Sequence, residues 1–242
     1  MLHQTITGPG ASHITYYPDL HQGSDEWLAA RRGIMTASEM NLVLTPTLKT
    51  AKNKDTRAHA YELAAQRISG FVEPRYISDD MLRGHDDEIY ARMAYAEHFS
   101  PVDDMGFIVT SGLGFPIGYS PDGLVGDDGL IECKSRAQKY QVQTVVEHVA
   151  TGCASIPADY ILQHQTGLIV SERKWIDFIS YCGGLPMVVI RVWPDDAVQA
   201  AIKEAAQEFE HEIRRIEDTY HAAINSMPKV IETERRIIQE MF

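Results

Sequence analysis

The chain has 242 residues, 44% of them hydrophobic and 23% charged, the profile of an ordinary globular protein long enough for one large domain or two small ones. Its formal net charge of -12 excludes a broadly basic nucleic-acid coat, because such binding draws its affinity from counterions displaced by Lys and Arg. No basic segment runs into an apolar core near the N-terminus and no stretch of about 18 apolar residues occurs, so the expectation is a cytoplasmic protein with neither signal peptide nor membrane span.

No repeat, low-complexity tract or linker divides the sequence. A single domain is expected over 1–242, with its core at about 22–194 and a closing helix and tail at about 195–242. Ser24 can cap a short helix with an acidic first turn (Asp25, Glu26), carrying Trp27 and Arg31 and stopping at Gly33. Thr36-Ala37-Ser38-Glu39 fits an S/T-x-x-E capping box and starts a second helix, an end that would suit a phosphate. Residues 45–57 are polar, carry Lys49, Lys52, Lys54 and Arg57, and read as a mobile basic loop. Helical patterns follow at roughly 58–69 and 80–99.

From Phe107 the texture changes. Short apolar runs at 107–110, 117–119 and 130–133 are divided by Gly, Pro and Asp, as in strands and tight turns. Helical periodicity returns near 138–150 and 158–171, and two β-rich runs, Trp175 to Cys182 and Met187 to Trp193, flank a hairpin connection at Gly183-Gly184-Leu185-Pro186. Asp195 or Asp196 then caps a long amphipathic helix with Val198, Ile202, Ala205, Phe209, Ile213 and Ile216 at helical spacing. The expected fold is α/β, a central mixed β-sheet with helices on its faces. Cys133, Cys153 and Cys182 form no CxxC pair, which argues against a zinc knuckle or disulfide framework and for reduced thiols.

The candidate chemistry lies in Ser120-Pro121-Asp122-Gly123, followed across a Gly-Asp-Asp-Gly turn by Glu132-Cys133-Lys134. On a strand, Glu132 and Lys134 share one face about 6.6 Å apart, while Cys133 points to the other. Asp122, from the neighbouring strand or turn, completes a carboxylate pair. Two carboxylates and a backbone carbonyl form the sparse oxygen shell that Mg²⁺ accepts while keeping waters and a phosphate oxygen. Lys134 could orient or deprotonate a water, or neutralise charge in the transition state; the sequence leaves both roles open. Chance alone supplies such a pattern in roughly 3% of chains this long, and an exposed hairpin with solvated charges is its bland counterpart.

Three other segments bear on it. Glu88 and Arg92 lie four apart on a helical face, and for Arg92 a surface ion pair with Glu88 is the expected role. Trp27-x3-Arg31 running into Thr36-Ala37-Ser38 brings a guanidinium near a helix start, a combination suited to a terminal phosphate. Tyr160, Gln163 and His164 share one helix face at i, i+3 and i+4.

In this order, Gln22 with Trp27-x3-Arg31 and Thr36-Ala37-Ser38, Gly84-x3-Glu88, Ser120-Pro121-Asp122-Gly123, Glu132-x-Lys134 and Tyr160-x2-Gln163 resemble the phage lambda exonuclease and YqaJ-type viral recombinase family. That family is a branch of the PD-(D/E)XK restriction-endonuclease-like nucleases, and the likeness runs from about Gln22 to Val170. The resemblance implies a processive 5′-to-3′ exonuclease on double-stranded DNA ends, leaving a 3′ single strand for an annealing partner in phage recombination, and working as a ring-shaped homotrimer. By motif position it implies that Asp122, Glu132 and the Cys133 carbonyl bind Mg²⁺, with Mn²⁺ able to substitute, and that Lys134 is catalytic. Glu88 would assist metal or water, Gln163 and Tyr160 would support the site, and Arg31, Ser38 and Ser120 would hold the 5′-phosphate. Met81 falls where the family carries an apolar wedge that opens the duplex end. Two other readings share the fold: a structure-specific or restriction-like endonuclease, and a non-catalytic DNA-end-binding subunit. The intact Asp122, Glu132 and Lys134 set speaks against the second.

Overall fold

The structure is a computed structural model that describes residues 13–74, 79–150, 152 and 155–235, with side chains for all of these but 79–81. Among the described residues, eight strands form two four-stranded mixed sheets. In the first, β1 (Ile14–Tyr17) and β3 (Phe107–Thr110) pair antiparallel, β3 pairs antiparallel with β4 (Ile117–Tyr119), and β4 runs parallel to β2 (Met35–Thr36). In the second, β5 (Gly123–Val125) and β6 (Gly129–Ser135) form a hairpin, β6 runs parallel to β7 (Trp175–Tyr181), and β7 turns back into β8 (Val188–Val192). The mixed α/β class expected from the sequence holds, with the strands shared between two sheets. Chain continuity at Ser120-Pro121-Asp122 joins β4 of one sheet to β5 of the other, a break to which Pro121 contributes by having no N–H for a ladder.

The helices follow their local signals. In α1 (Asp25–Arg31) the Ser24 hydroxyl accepts from the Trp27 N–H, and Gly33 takes the left-handed φ of +67° that ends the segment. The capping box at Thr36 starts a single 3-10 segment, Ala37–Leu42, rather than a full α-helix. Its Glu39 carboxylate accepts from the Thr36 N–H at 3.1 Å and the Thr36 hydroxyl at 2.7 Å.

The basic segment is tied down. Leu44 bridges to Thr50, Ala51 donates to the Val43 carbonyl at 2.7 Å, and Asn53 caps α2 (Lys54–Ser69). Lys54 and Arg57 therefore belong to a helix that starts four residues before the periodicity suggests, because the cap is polar and carries no apolar signal.

Helix α3 (Asp79–His98) covers one face of the second sheet, where Ala91 and Tyr95 pack with Val125, Ile131 and Ile179. Helix α4 (Gln138–Thr144) passes into a π-turn over Val145–Val149 where the sequence suggests one continuous helix. The Thr144 hydroxyl bonds back to the Tyr140 carbonyl at 2.9 Å, competing with the regular ladder there. Helix α5 (Ala158–Ser171) packs between the sheets, and α6 (Asp196–Ser226), capped by Asp195, closes the main core with its whole predicted apolar face buried. Among the described residues no helix is long and apolar enough to cross a membrane. Cys133 and Cys182 are free thiols, while Cys153 and the Met81 side chain lie outside the described residues.

Candidate active site

The junction of the two sheets makes the site. Ser120 and Asp122 sit on the link from β4 to β5, and the Asp122 N–H donates to the Ile131 carbonyl at 3.2 Å. This anchors the link against β6. Past Ile131 the β5 pairing has ended, and the Cys133 N–H instead donates to Asp122 Oδ2 at 2.5 Å. A strand donor without a strand partner thus fixes the aspartate.

Glu132 and Lys134 share the face of β6 that looks toward α5, as the two-residue period dictates. Lys134 Nζ donates to Glu132 Oε1 at 2.7 Å and to Gln163 Oε1 at 3.0 Å, while Gln163 Nε2 donates to Glu132 Oε1 at 2.6 Å. Tyr119 donates to the other carboxylate oxygen, Oε2, at 2.6 Å. Glu132 is only 3% exposed, and a carboxyl so far from water needs such a set of hydrogen-bond partners to offset the cost of its burial.

A cleft of about 490 Å³ opens over these groups, and its walls include Arg31, Ser38, Glu88, Ser120, Asp122, Glu132, Cys133, Lys134 and Gln163. Of the candidates named from the sequence, Tyr160 lies outside that lining. It forms a wall behind Lys134, whose Nζ is 5.4 Å from its ring centroid; its ring packs on Phe178 and its hydroxyl accepts from Arg136. The close ion-pair partner of Arg92 is Asp104, while its charge also acts on Glu88 as the helical spacing leads one to expect. Arg92 and Asp104 are brought together by the chain's turn after α3, a long-range contact that helical spacing cannot show.

At the far end of the cleft, the Arg31 guanidinium lies 4.1 Å from the centroid of the Trp27 ring, and its Nη2 donates to Thr36 Oγ1 at 3.1 Å. The Trp27 Nε1 donates to Ser120 Oγ at 3.1 Å. A guanidinium and hydroxyls from separate segments therefore face one space. Arg83 and His85 of α3 also line it.

Sequence reasoning gave no role of their own to four of these residues. Trp27 entered only as part of the Trp27-x3-Arg31 motif, Tyr119 as part of the apolar run at 117–119, and Arg83 and His85 only within the helical pattern at 80–99. Only the position of Tyr119 directly before Ser120-Pro121-Asp122 could have drawn attention to it.

The carboxyls of the centre act on one another's protonation. Enclosure in protein, and then the charges of Glu132 and Glu88, push the Asp122 carboxyl well above the usual range, against the pull of Lys134 and the Cys133 N–H. Burial also raises Glu88, with Arg92 and His85 opposing and Glu132 adding to the rise. Burial alone would lower Lys134, but Glu132 and Asp122 outweigh it and hold the amine above the ordinary lysine value, as a cation.

Among the described residues no three His, Cys, Asp or Glu side chains form a ready-made metal cage. The donor set nonetheless fits a hard cation such as Mg²⁺, which takes one or two protein carboxylates and completes its shell with water and phosphate. Three acids repelling one another across the cleft are what such a cation would neutralise. A second cleft of about 490 Å³, between α2 and α6, is lined by both signs of charge, including Lys52, Arg57, Glu208 and Glu212. It brings together no comparable acid–lysine set.

In this mixed α/β fold Asp122, Glu132 and Lys134 meet at the junction of the two sheets, within the span that the family comparison covers. The chain belongs to the YqaJ-like viral recombinase domain family, whose profile matches residues 26–174. It is similar to an alkaline exonuclease, LHK-Exo, from Laribacter hongkongensis, at 32% identity and a TM-score of 0.71, covering 83% of this chain and 97% of that one. A structure of LHK-Exo in complex with dAMP matches with the same values. A phage-related exonuclease from Haemophilus somnus 129PT shares the fold at 10% identity and a TM-score of 0.53, covering 77% of this chain and 96% of that one. No curated protein sequence is significantly similar.

Proposed function

We propose that the chain is a Mg²⁺-dependent exonuclease that degrades the 5′-ended strand of double-stranded DNA ends and leaves a 3′ single strand. The reading rests on one observation: the acid–lysine centre and the Arg31–Ser38–Ser120 end share a single cleft. Such a cleft can hold the scissile phosphodiester and a terminal phosphate at once. The 32% identity to an alkaline exonuclease supports it.

Asp122 and Glu132 would hold the metal with the Cys133 carbonyl, which leaves the strand on the same side as the N–H that meets Asp122. A bound Mg²⁺ supplies Lewis acidity toward a phosphate oxygen and an acidified water. Lys134 offers a cation to the charge that develops on the phosphoryl group. Gln163 steadies Glu132 and Lys134 together, Tyr160 backs Lys134, and Glu88 adds a third carboxylate for metal or water. Arg31, with Ser38 and Ser120, grips the 5′-phosphate by charge-assisted hydrogen bonds.

A homotrimeric ring would reconcile the net charge of -12 with DNA binding, since an acidic exterior can enclose a basic channel. The 3′ strand would pass to a single-strand annealing protein, in the bacterial host cytoplasm if the chain is phage encoded.

The test is a nuclease assay with linear and circular duplexes, each strand labelled at each end. Loss of 5′ label from linear DNA alone, stopped by chelator, supports the proposal. Cutting of circles would instead indicate an endonuclease, and inactivity on phosphorylated ends with Mg²⁺ would reject the enzyme. Arg31→Ala is expected to slow digestion of 5′-phosphorylated ends far more than of 5′-hydroxyl ends.

A further inference from the structure

A carboxylate that holds a metal works best when its orientation is set before the metal arrives, because the hydrogen bonds behind a ligand govern its affinity. Glu132 receives Lys134 and Gln163 on one oxygen and Tyr119 on the other. The Tyr119 contact differs from the first two. Lys134 lies on the same strand as Glu132 and Gln163 on the helix beside it, whereas Tyr119 belongs to β4 of the other sheet. Its 2.6 Å bond therefore ties the orientation of Glu132 to the junction itself.

The ring is built into place. Tyr119 is 1% exposed, and Gly167 of α5 leaves room for it: a Cβ there would come within 2.8 Å of Tyr119 Cε1. The next residue along the chain, Ser120, accepts from Trp27, so the end of β4 serves the carboxylate with one residue and the opposite wall of the cleft with the next. Packing alone would be met by phenylalanine. A buried hydroxyl requires a partner, and Glu132 is the one it has.

We propose that Tyr119 is a positioning residue for Glu132, its hydroxyl fixing the carboxylate across the sheet junction so that a divalent cation meets it in one orientation. This rests on the reading of Glu132 as a metal-holding residue.

The experiment is direct binding of Mn²⁺ to the DNA-free protein, followed by calorimetry and by the spin-resonance signal of free Mn²⁺, with thermal unfolding measured in parallel. Wild type and Glu132→Ala come first. Binding that is lost in Glu132→Ala supports the underlying reading; no binding by wild type, or equal binding by Glu132→Ala, overturns that reading and the proposal with it. Where the reading stands, Tyr119→Phe is expected to bind Mn²⁺ on the order of tenfold more weakly. Binding close to wild type in Tyr119→Phe overturns the proposal, whatever its melting temperature.

Tyr95→Phe removes a tyrosine–carboxylate bond from the other face of the second sheet and is expected to bind Mn²⁺ as wild type does. An equal loss in both variants would show general loosening and overturn the proposal. Should Tyr119→Phe not fold, Gly167→Ala, which crowds the ring and keeps its hydroxyl, is judged in the same way: weaker Mn²⁺ binding supports the proposal and unchanged binding overturns it.

Discussion

Glu132 and Asp177 are buried carboxylates on neighbouring strands, β6 and β7, and they point to opposite faces of one sheet. Their immediate partners are nearly the same. Each accepts from a tyrosine hydroxyl at 2.6 Å, Tyr119 for one and Tyr95 for the other. Each also meets a cation, Lys134 at 2.7 Å or Arg191 at 2.8 Å.

What separates them is charge balance. Arg191 grips both oxygens of Asp177 and lies 3.6 Å from the centroid of the Trp175 ring, so one acid is answered by one bidentate cation. Glu132 shares its cleft with Asp122 and Glu88, whose carboxyls are pushed up in part by its charge. A neutral network closes on itself and holds α3 to the sheet. A network in which three carboxyls disfavour one another's charge has room for a cation and a phosphate.

The comparison is most sharply broken by removing each acid in turn. Glu132→Ala or Lys134→Ala is expected to lower turnover on 5′-phosphorylated linear duplex at least about a thousandfold, near 4 kcal/mol of barrier, with the circular dichroism of the fold retained. Near-normal turnover in both would mean the site is misassigned. Asp177→Ala should do the opposite, costing about 3 kcal/mol of stability in urea unfolding and leaving turnover per folded molecule little changed. The low end of the range applies because the Arg191 side chain is 44% exposed and can turn to water. A specific loss of turnover in Asp177→Ala would extend the functional site through the sheet.

The Glu132 face also carries a buried histidine. His164 donates from Nδ1 to the Tyr160 carbonyl at 2.8 Å, its Nε2 lacks a hydrogen-bond partner, and burial lowers its pKa to about 4. In the unfolded chain it protonates near 6.5. The unfolded state therefore takes up the proton first, so the stability contribution is complete above pH 6.5 and is lost as pH falls through about 4. The loss is on the order of 3 kcal/mol. Urea unfolding of wild type and His164→Phe at stepped pH should show wild type losing stability faster over that window; parallel curves would mean that His164 is charged or exposed in the fold.

How much of this was legible in the sequence follows from the range of the interactions. Residues whose signal is local were readable: the Ser24 cap, a cap at Asp195 or Asp196, the apolar face of α6, and the shared face of Glu132 and Lys134. Asp122 was readable as a partner because its hairpin is short. Tyr119 and Asp177 were not, because nothing in an apolar strand reports that a hydroxyl from another sheet or an arginine from the next strand will meet it. The split into two sheets was equally hidden, since Ser120-Pro121-Asp122 looks like any turn until both neighbours of β4 are known. Lys54 and Arg57 were misjudged as loop for the converse reason: their helix begins at a polar cap, with no apolar period to mark it.

The smallest effect is expected at Tyr95. Tyr95→Phe keeps the ring packed 5.1 Å from Phe99 and leaves Asp177 its two contacts with Arg191. The change removes one hydrogen bond to a charged acceptor, and with that acceptor still paired the cost should be about 1.5 kcal/mol. Glu88 lies seven residues, nearly two turns, toward the start of the same helix, so any tilt of α3 released by the variant would be carried to the cleft. Turnover at saturating Mg²⁺ is expected to stay near wild type, because Ala91 still packs α3 against the sheet. If Tyr95→Phe instead lost turnover as steeply as Glu132→Ala while unfolding at an unchanged urea concentration, the two faces would form one functional network, and charge balance would no longer separate them.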